Sequence, residues 1–479
     1  MVQVENEYGS FGLCDREYKH FLRDVTWNAL GQDVVLYTTD GPNESMLKCG
    51  QIPYVLPTVD FGVSAPKDID RYFLTQWKRR PGAPKVNSEF YPGWFVMWGQ
   101  QKNEVPDVES IMNTTKYMFS IGANINFYMM HGGTNFGFWN GAEETAPVIT
   151  SYDYTSPITE AGDIAPVYLA IREWIGTLQN WTNTPLEVPK NVTKIAYGTV
   201  KVRNIGTLYD LRHHFTNACV QSKYPMSFEE LNSPYGFVLY ETKLKKKGTN
   251  MIIEAPKDYG YVLLDGVIKG ILVNRYGKYS KKNVVMFESR QGQTVSILME
   301  NQGRQTYETI NDFKGIVVNA TWDSEIMEDW TMCGIHMDEE VLRKFANHKP
   351  RQHRLNGPTV FVGTFEADIQ ADTWVDVRRW RKGQIFINGF NIGRYFSVMG
   401  PQFALYVPKS ILRPVNSIVV FELLGPHDSN IYDSYSEIGL IDHPIFNFKS
   451  NDTNVITTER TYKLNPKLTN YYTYWFKPY

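Results

Sequence analysis

The sequence is poor in cysteine and has no long apolar run. Only 4 cysteines occur in 479 residues, and none has the spacing of a CxxC or Cys/His metal motif, so no metal site is expected. No stretch approaches the roughly 18 apolar residues that a membrane helix needs. Charge of one sign is not in excess, because 49 Lys and Arg face 51 Asp and Glu, a net charge of −2. This balance argues against nucleic acid or an anionic membrane as the main partner.

A secretory leader is also missing, although other features favour the secretory pathway. The first seven residues lack the basic start and apolar segment of a signal peptide and have the pattern of a strand, so we expect a fragment of a longer protein. Six N-glycosylation sequons occur, about twice the number that chance would give. They lie at Asn43, Asn113, Asn180, Asn191, Asn319 and Asn451. Because such sites and disulfides form in the secretory pathway, we expect a lysosomal or secreted protein.

The first part of the chain, residues 1–182, alternates short apolar strands with helical patterns. The predicted strands cover residues 2–4, 34–37, 58–61, 85–89 and 124–130, and apolar residues at helical spacing lie between and after them. Strands that alternate with helices pair in parallel through crossover connections. The pattern therefore predicts an α/β sheet or barrel.

Beyond residue 195 the sequence changes to short strands and turns. Asp265-Gly266 and Asn388-Gly389 each lie between apolar strands, which is a strong signal for a hairpin with a type I′ turn. In both hairpins another glycine follows four residues after the turn glycine. This shared spacing favours two related β-domains.

These patterns divide the chain into an α/β part and two β-domains. We expect a linker or joining strand at residues 183–217, a first β-sandwich at 218–335 and a second at 350–479. Two basic runs, 243–247 and 378–382, flank strands of these domains. We expect both runs in solvated loops or at protected sheet edges.

Carboxylates follow two predicted strands of the α/β part. The first strand ends at Glu5-Asn6-Glu7 and the fourth at Glu89, in a segment rich in Tyr and Trp. Barrel enzymes carry their catalytic groups at the C-terminal ends of strands, and glycoside cleavage needs two carboxylates, one to protonate the leaving oxygen and one to attack or activate water. A salt bridge with Lys or Arg is the alternative role. Since Glu5 and Glu7 share one face of a strand, spacing does not choose between them.

Five segments resemble motifs of glycoside hydrolase family 35 β-galactosidases, in the order found in that family. The segments are QVENEYG at 3–9, NSEFYPGW at 87–94, GGTNF at 132–136, TSYDY at 150–154 and INGFNIGRY at 387–395. The resemblance runs from residue 1 to about residue 425 and is closest to the lysosomal animal members of the family.

The resemblance implies a role for seven residues. Glu7 is expected to be the general acid/base and Glu89 the nucleophile of a retaining mechanism, with their carboxyls roughly 5–5.5 Å apart. Asn6 is implied as a ligand of the sugar 2-hydroxyl. The aromatic residues implied to line the galactose site are Tyr91, Trp94, Tyr128 and Tyr154. Tyr154 is expected to hydrogen-bond the nucleophile, and Trp94 to form a stacking wall.

Other residues near the motifs receive structural interpretations. His131 lies at a strand end, where a catalytic base could be placed, but we interpret it as a buried, hydrogen-bonded histidine. The resemblance implies a disulfide between Cys14 and Cys49 that ties two barrel loops together. It implies no pairing for Cys219 and Cys333.

The resemblance also predicts the fold. In the clan of this family the acid/base follows barrel strand four and the nucleophile strand seven, whereas here the corresponding motifs end the first and fourth predicted strands. We therefore expect an incomplete (β/α)8 TIM barrel with strands 4–8 present, followed by two jelly-roll-type β-sandwich domains, of which the second is similar to galactose-binding domains. Family ligands for other galactose hydroxyls lie largely on the absent strands, so we expect the chain as given to be a poor enzyme.

The implied function is exo-hydrolysis of terminal non-reducing β-D-galactose by double displacement, without a cofactor. The implied partners are galactose-terminated glycans or glycolipids. One alternative is a non-catalytic galactose-binding or scaffold protein, because part of the sugar site is expected to be missing. Another is an exo-glycosidase of different β-glycoside specificity. The sequence leaves open the aglycone, the linkage and the oligomeric state, and a homo-oligomer is compatible with it.

Overall fold

The structure is a computed structural model. It describes residues 1–144, 146–179, 181–183, 185–216, 218–274, 283–305, 307–309, 311–346, 357–425 and 436–448. Two sequons, Asn180 and Asn451, lie outside these residues, as do residues 350–356, 426–435 and 449–479 of the predicted second β-sandwich. No helix in the described ranges is long and apolar enough to cross a membrane.

Five parallel strands form a sheet in which spatial order follows chain order. The strands are β1 (Val2–Asn6), β2 (Leu36–Asp40), β3 (Leu56–Asp60), β4 (Val86–Phe90) and β5 (Asn124–Phe127). All four neighbouring pairs are parallel. The last strand ends at Phe127, earlier than the predicted range of 124–130.

Six helices accompany this sheet. They are α1 (Tyr8–Phe11), α2 (Arg16–Leu30), α3 (Glu44–Gly50), α4 (Pro66–Arg79), α5 (Val108–Ser120) and α6 (Pro166–Gly176). The apolar spacing predicts α2, α4, α5 and α6, but α1 and α3 are too short for a periodic pattern. The start of α3 does carry a local signal, because the Asn43 side chain accepts a hydrogen bond from the Met46 amide at 2.9 Å.

The helices cover the sheet through a shared apolar core. Val59 of β3 packs with Ile69 and Phe73 of α4, Ile111 of α5 and Ile171 of α6. Ile69 and Phe73 are four residues apart and so lie on one face of their helix. This packing holds the carboxyl ends of the strands in fixed relative positions.

The first β-domain contains two packed antiparallel sheets. Two strands come between β5 and this domain in the chain, β6 (Gly141–Ala142) and β7 (Gly198–Thr207). The strands that follow, up to residue 335, are β8 (Val220–Ser222), β9 (Phe237–Lys243), β10 (Gly248–Ile253), β11 (Pro256–Lys257), β12 (Tyr259–Leu264), β13 (Val267–Val273), β14 (Val284–Ser289), β15 (Thr294–Glu300), β16 (Arg304–Gln305), β17 (Gly315–Ile316), β18 (Ala320–Trp322), β19 (Glu325–Ile326) and β20 (Trp330–Ile335). A six-stranded sheet, β13-β12-β15-β9-β20-β8, and a four-stranded sheet, β14-β10-β18-β19, contribute to one core.

The second β-domain is built on an eight-stranded sheet. Its further strands are β21 (Thr359–Glu366), β22 (Thr373–Asp376), β23 (Gly383–Ile387), β24 (Phe390–Tyr395), β25 (Ala404–Val407), β26 (Val415–Glu422) and β27 (Glu437–Ile441). The order is β24-β23-β26-β21-β7-β27-β22-β25. Ile392 and Leu405, from strands at opposite edges, lie in the same core, so the sheet folds back on itself. Strand β7 comes from the segment 183–217, which the sequence analysis assigns to the connection between domains.

Three short helices complete the described elements. They are α7 (Leu208–Phe215), α8 (Glu339–Ala346) and a 3-10 helix at Lys409–Ile411. Leu208 and Phe215 of α7 contribute to a core that also contains Leu263 of the first β-domain and Phe421 of the second. Apolar packing therefore joins the two β-domains.

Both predicted hairpins are present. β12 pairs with β13 around Asp265-Gly266, and β23 pairs with β24 around Asn388-Gly389. All four turn residues have positive φ, between 48° and 86°, as a type I′ turn requires. Each hairpin also has a register shift three residues before its turn glycine, so the shared glycine spacing corresponds to a shared bulge.

The described region contains two disulfides. The expected bond between Cys14 and Cys49 is present and joins the loop after α1 to helix α3. The second, between Cys219 and Cys333, joins the segment before β8 to β20, and the sequence analysis does not predict it. The four sequons within the described residues are at exposed asparagines.

One of the two basic runs differs from the expectation. Lys245 and Lys246 of the run 243–247 are solvated and pair with surface carboxylates. Lys382 of the run 378–382 is instead fully buried and pairs with Glu300, which also accepts from Arg394 Nε at 2.7 Å. The solvated assignment of Lys382 is therefore wrong, because a buried charge is retained where an opposite charge and hydrogen bonds compensate it.

Candidate active site

Four consecutive strands of the parallel sheet each bring a carboxylate to its C-terminal edge. Glu7 follows β1, Asp40 and Asp60 are the last residues of β2 and β3, and Glu89 is the fourth residue of β4. The carboxyl ends of parallel strands meet at one edge, where α/β enzymes place their sites. The two predicted catalytic carboxylates thus share an edge with two that the sequence analysis does not name.

The backbone around Glu7 holds its side chain at the start of α1. Glu7 has φ 51° and ψ 27°, a left-handed conformation that is uncommon for this residue type. Its amide donates to the Thr39 carbonyl at 2.7 Å, and its carbonyl accepts from the Ser10 amide at 2.9 Å and from the Ser10 hydroxyl at 2.7 Å. Burial and the neighbouring Glu143 carboxylate raise the pKa of Glu7.

Glu89 is 8% exposed, and its charge interacts with that of Glu7. Burial raises the pKa of Glu89 to about 7, with a further contribution from the Glu7 charge. Tyr91 lowers this pKa in part, since its hydroxyl donates to Glu89 Oε2 at 3.4 Å. Two carboxyls that each disfavour ionisation of the other retain a shared proton at higher pH than an isolated carboxyl does.

Asp40 and Asp60 extend this set of carboxyls below the surface. Burial raises the pKa of Asp40 to about 7 and that of Asp60 to about 8, and the charge of Glu7 adds to both effects. Asp60 is hydrogen-bonded to Tyr91, and Asp40 accepts from the Gly9 amide at 2.8 Å. Asp40 follows the predicted strand 34–37, and Asp60 lies one residue before the end of the predicted strand 58–61, so the strand-end rule that locates Glu7 and Glu89 also points to these two aspartates.

Glu5 and Glu7 have different hydrogen-bond partners and electrostatic surroundings in the structure. Glu5 Oε1 accepts from the Tyr18 hydroxyl at 3.0 Å, and Glu5 Oε2 accepts from the Asn6 amide at 3.0 Å. Both oxygens of Glu5 are therefore engaged in local hydrogen bonds, whereas Glu7 interacts electrostatically with Glu89. This difference favours Glu7 where spacing alone left the choice open.

The four predicted aromatic residues form a connected group beside Glu89. Tyr91 packs against Trp94 with ring centroids 4.9 Å apart and against Tyr128 at 6.3 Å. Tyr154 lies 5.9 Å from Trp94 and 6.2 Å from Tyr128. Trp94 and Tyr128 are partly exposed, while Tyr154 is buried. Both stacking surface and hydroxyl groups are therefore available at the site.

Two residues differ from their expected surroundings. The hydroxyl that donates to Glu89 belongs to Tyr91, whereas Tyr154 was expected to make this bond. His131 is exposed and not buried, and its Nε2 lies 3.3 Å from the Glu160 carbonyl oxygen. The predicted hydrogen bond of His131 is thus present, but the predicted burial is wrong, because β5 ends at Phe127 and His131 lies beyond it, in an isolated bridge with Ile158. Asn6 is exposed at the site, and its Oδ1 accepts from Gln3 at 2.7 Å.

A segment of the first β-domain also reaches this site. Tyr307 shares a hydrogen bond with Ser10, and burial together with the Glu7 and Asp60 charges raises the pKa of Tyr307. Strand β16 of the same segment pairs with β6, which lies in the loop after β5. The sequence carries no local signal for this contact, since residues some 300 positions apart meet only in the folded chain.

The arrangement fits acid/base chemistry. In the ranges that the structure describes, no group of three or more His, Cys, Asp or Glu residues is placed to hold a metal ion. Glu7 and Glu89 instead form a carboxyl pair on separate strands, with aromatic rings alongside. Such a pair can hold one proton and present one carboxylate, which are the two functions that glycoside cleavage needs.

Family models match three consecutive parts of the chain. The model of glycosyl hydrolases family 35 matches residues 1–178. The models described as the first all-beta domain of beta-galactosidase and as the galactose-binding domain of beta-galactosidase match residues 225–336 and 358–417.

Curated relatives match over nearly the whole chain. A Bos taurus protein named beta-galactosidase is 37% identical over 476 residues, which cover 93% of this chain and 71% of the relative. A Mus musculus protein of the same name is 38% identical over 450 residues, which cover 88% and 68%. Among solved structures, a GH2 beta-galacturonidase from Eisenbergiella tayi is 14% identical, covers 50% of this chain and 38% of its own, and has a TM-score of 0.18, which is too low to support a shared function.

Proposed function

The chain belongs to glycosyl hydrolases family 35, and from this premise we propose that it is a retaining exo-β-galactosidase. Its substrates are glycans or glycolipids that end in β-linked D-galactose. One observation carries the proposal: Glu7 and Glu89 lie at the ends of separate strands, and the charge of Glu7 raises the pKa of Glu89. Family membership supports glycoside hydrolysis, and the carboxyl pair supports the mechanism.

In the proposed first step Glu89, as the carboxylate, attacks the anomeric carbon of galactose. Glu7 donates its proton to the glycosidic oxygen, the bond to the leaving group breaks, and a galactosyl ester of Glu89 forms. In the second step Glu7 removes a proton from water, which attacks the same carbon. The ester bond breaks, Glu89 becomes a carboxylate again, and galactose leaves with its configuration retained.

The neighbouring groups support these roles. The Tyr91 hydroxyl donates to Glu89 and so orients one carboxylate oxygen. Trp94 offers a partly exposed ring for stacking on the sugar, and Tyr128 and Tyr154 complete the wall. Asn6, next to Glu7, is proposed to hydrogen-bond the sugar 2-hydroxyl, where bonds that strengthen in the transition state contribute to the rate.

We also propose that the five-stranded sheet is an arc of a (β/α)8 barrel, with β1 to β5 as its fourth to eighth strands. A doubly wound sheet reverses its strand order at a switch point. Here the order β1-β2-β3-β4-β5 has no reversal, as in a barrel. A lysosomal or secreted location is proposed as well, because the described sequons are exposed and two disulfides are present.

The test is a panel of chromogenic glycosides with wild-type protein and the Glu89→Gln variant. We expect slow but measurable hydrolysis of the β-galactoside by the wild-type protein, in keeping with a poor enzyme, and loss of that activity in the variant, with an unchanged circular dichroism spectrum. Preferential hydrolysis of a β-galactosaminide or another β-glycoside would contradict the substrate assignment. Equal rates for the two proteins would contradict the role of Glu89.

A further inference from the structure

We propose that Gln402, a residue of the second β-domain, is a positioning residue for the galactose site. It holds the segment 150–154 of the α/β part, which carries Tyr154. The inference rests on the proposed function, in which Tyr154 lines the site. It gives the second β-domain a part in the reaction that needs no contact between this domain and the sugar.

A buried hydrogen bond joins Gln402 to this segment. Gln402 lies between β24 and β25, and its Oε1 accepts from the Ser151 amide at 2.9 Å, while its Nε2 donates to the Ala404 carbonyl at 3.0 Å. Gln402 is 0% exposed and Ser151 is 2% exposed, so the side chain of Gln402 is out of reach of a sugar. Removal of Oε1 would leave the Ser151 amide buried without its acceptor, which costs free energy that water does not restore.

The backbone on both sides of Gln402 is itself fixed within the second β-domain. The Asn447 amide donates to the Pro401 carbonyl at 2.8 Å, and the Phe403 amide donates to the Ile445 carbonyl at 2.8 Å. The Oε1 atom of Gln402 is therefore a fixed acceptor, and the position of Ser151 is set relative to it.

The same domain also holds the residue before Ser151. The Thr150 hydroxyl donates to the Arg394 carbonyl at 2.5 Å. The Arg394 side chain is anchored in turn by Glu300 at 2.7 Å and by the Asn301 carbonyl at 2.9 Å. A Cβ at Gly393 would lie only 2.4 Å from Thr150 Cγ2, so the two backbones are in close contact here. The start of the segment is thus packed against the second β-domain.

The end of the segment has a backbone conformation that depends on such support. Tyr154 has a φ of 64°, in the left-handed region that is uncommon for an aromatic residue. Its carbonyl oxygen is packed against Gly93, where a Cβ would lie 1.9 Å from it. A conformation of this kind persists only where the surrounding contacts fix it. Ser151 is three residues before Tyr154, so release of its amide would let the segment relax.

The Tyr154 ring connects the segment to the galactose site. Its centroid lies 5.9 Å from that of Trp94 and 6.2 Å from that of Tyr128, and these are the rings proposed to receive the sugar. A shift of the Tyr154 backbone moves its ring and hydroxyl relative to this wall. Gln402 therefore acts on the site through Ser151 and Tyr154.

The experiment measures kcat/KM for 4-nitrophenyl β-galactoside at equal concentrations of folded protein, determined by circular dichroism. Gln402→Met has a side chain of similar length without the acceptor, and we expect it to lower kcat/KM about three- to tenfold, the equivalent of one lost hydrogen bond. Gln384→Met is the matched control and should change kcat/KM less than twofold. Gln384 is equally buried in β23, and its side-chain amide has no hydrogen-bond partner among the described residues. Equal losses in the two variants would overturn the proposal.

Two further variants separate positioning from a general loss of stability. In a Tyr154→Phe protein, Gln402→Met should lower kcat/KM by a smaller factor than in the wild type, because residues that act through one another are not additive. The same factor in both backgrounds would overturn the route through Tyr154. Gln402→Glu at pH 5 should recover most of the activity, since burial keeps such a carboxyl protonated and its oxygens then accept and donate as the amide does. A loss as large as that of Gln402→Met would overturn the need for an acceptor here.

Hydrogen exchange followed by mass spectrometry tests the contact without a substrate. Peptides that contain Ser151 should exchange about three- to tenfold faster in Gln402→Met than in wild type or Gln384→Met, because exchange requires local opening of the segment. Peptides from α2 should exchange equally in all three proteins. Unchanged exchange at Ser151 would overturn the proposal. If wild-type protein hydrolyses no galactoside, the proposed function fails, and the exchange result still decides whether Gln402 holds the segment.

Discussion

Replacement of Asp60 by asparagine should stabilise the protein at pH 8 and have little effect at pH 4. Asp60 is 5% exposed at the end of β3, and its pKa is raised to about 8 by burial and then by the charges of Glu7 and Glu89. In the unfolded chain an aspartate has a pKa of about 3.9. Asparagine is similar in shape, carries an amide group that can hydrogen-bond Tyr91 as the protonated carboxyl does, and never ionises.

The sign and size of the effect follow from proton linkage. Because the folded pKa is raised, the contribution of Asp60 to stability is complete below pH 4 and is lost as the pH rises towards 8. Each pH unit within this window lowers the free energy of unfolding by at most about 1.4 kcal/mol, which amounts to about 4 kcal/mol between pH 4 and pH 7. Relaxation and water entry reduce this limit, so we expect a gain of about 2–4 kcal/mol for Asp60→Asn at pH 7–8.

The assay is thermal unfolding of the wild-type protein and the Asp60→Asn variant at pH 4.5, 6 and 8. The Tm of the first unfolding transition is compared between the two proteins at each pH. A gain of 1 kcal/mol raises Tm by about 2–4 °C for a domain of 150–250 residues, so the difference in Tm should grow by several degrees with pH. Asp33→Asn is the control, since Asp33 is exposed before β2. A Tm difference that is the same at every pH, or a variant less stable at pH 8, would refute this reasoning.

Three further results are expected. Glu7→Gln should lower kcat/KM by about 10²–10⁴, the usual contribution of a general acid. The loss should be smaller for a dinitrophenyl galactoside, whose leaving group needs no proton, than for a galactoside whose leaving group must be protonated. Equal losses on these two substrates would exclude Glu7 as the acid. The pH–rate profile should be bell-shaped, because Glu89 must be ionised and Glu7 must carry a proton, and it should lie above the range of isolated carboxyls, since burial raises the pKa of both groups; a rate that does not fall at high pH would count against a protonated acid. The disulfide Cys219–Cys333 joins residues 114 positions apart, so its reduction should lower the free energy of unfolding by about 5 kcal/mol in the chain-entropy model. The Cys219→Ser variant should therefore unfold its first β-domain at a lower urea concentration. An unchanged urea midpoint would show that the bond is not formed.

Much of the local structure can be predicted from the sequence, because it depends on nearby residues. Strand–helix alternation predicts the parallel sheet, and Asp265-Gly266 predicts a hairpin because its turn needs positive φ at both positions. The strand-end rule also locates Glu7 and Glu89. It does not separate Glu7 from Glu5, since both carboxylates come at the end of the predicted strand and only their partners in space tell them apart.

Features that depend on distant contacts were not predictable in this way. Lys382 looks like part of a solvated basic run until Glu300 is found beside it in another domain. Tyr307 reaches the site only because the first β-domain packs against the loop after β5. Asp60 ends a strand, as many surface aspartates do, and burial beside Tyr91 is what distinguishes it.

Covalent trapping of the nucleophile tests the central claim most directly. Wild-type protein would be incubated with a 2-deoxy-2-fluoro-β-galactosyl fluoride, which slows both steps and lets the glycosyl-enzyme accumulate. Peptide mapping by mass spectrometry would then locate the label, with Glu89→Gln as the control. We predict one fluorogalactosyl group per chain, attached to Glu89, and none in the variant. A label on another carboxylate, or hydrolysis of a β-galactoside without any label and with inverted configuration, would contradict the account.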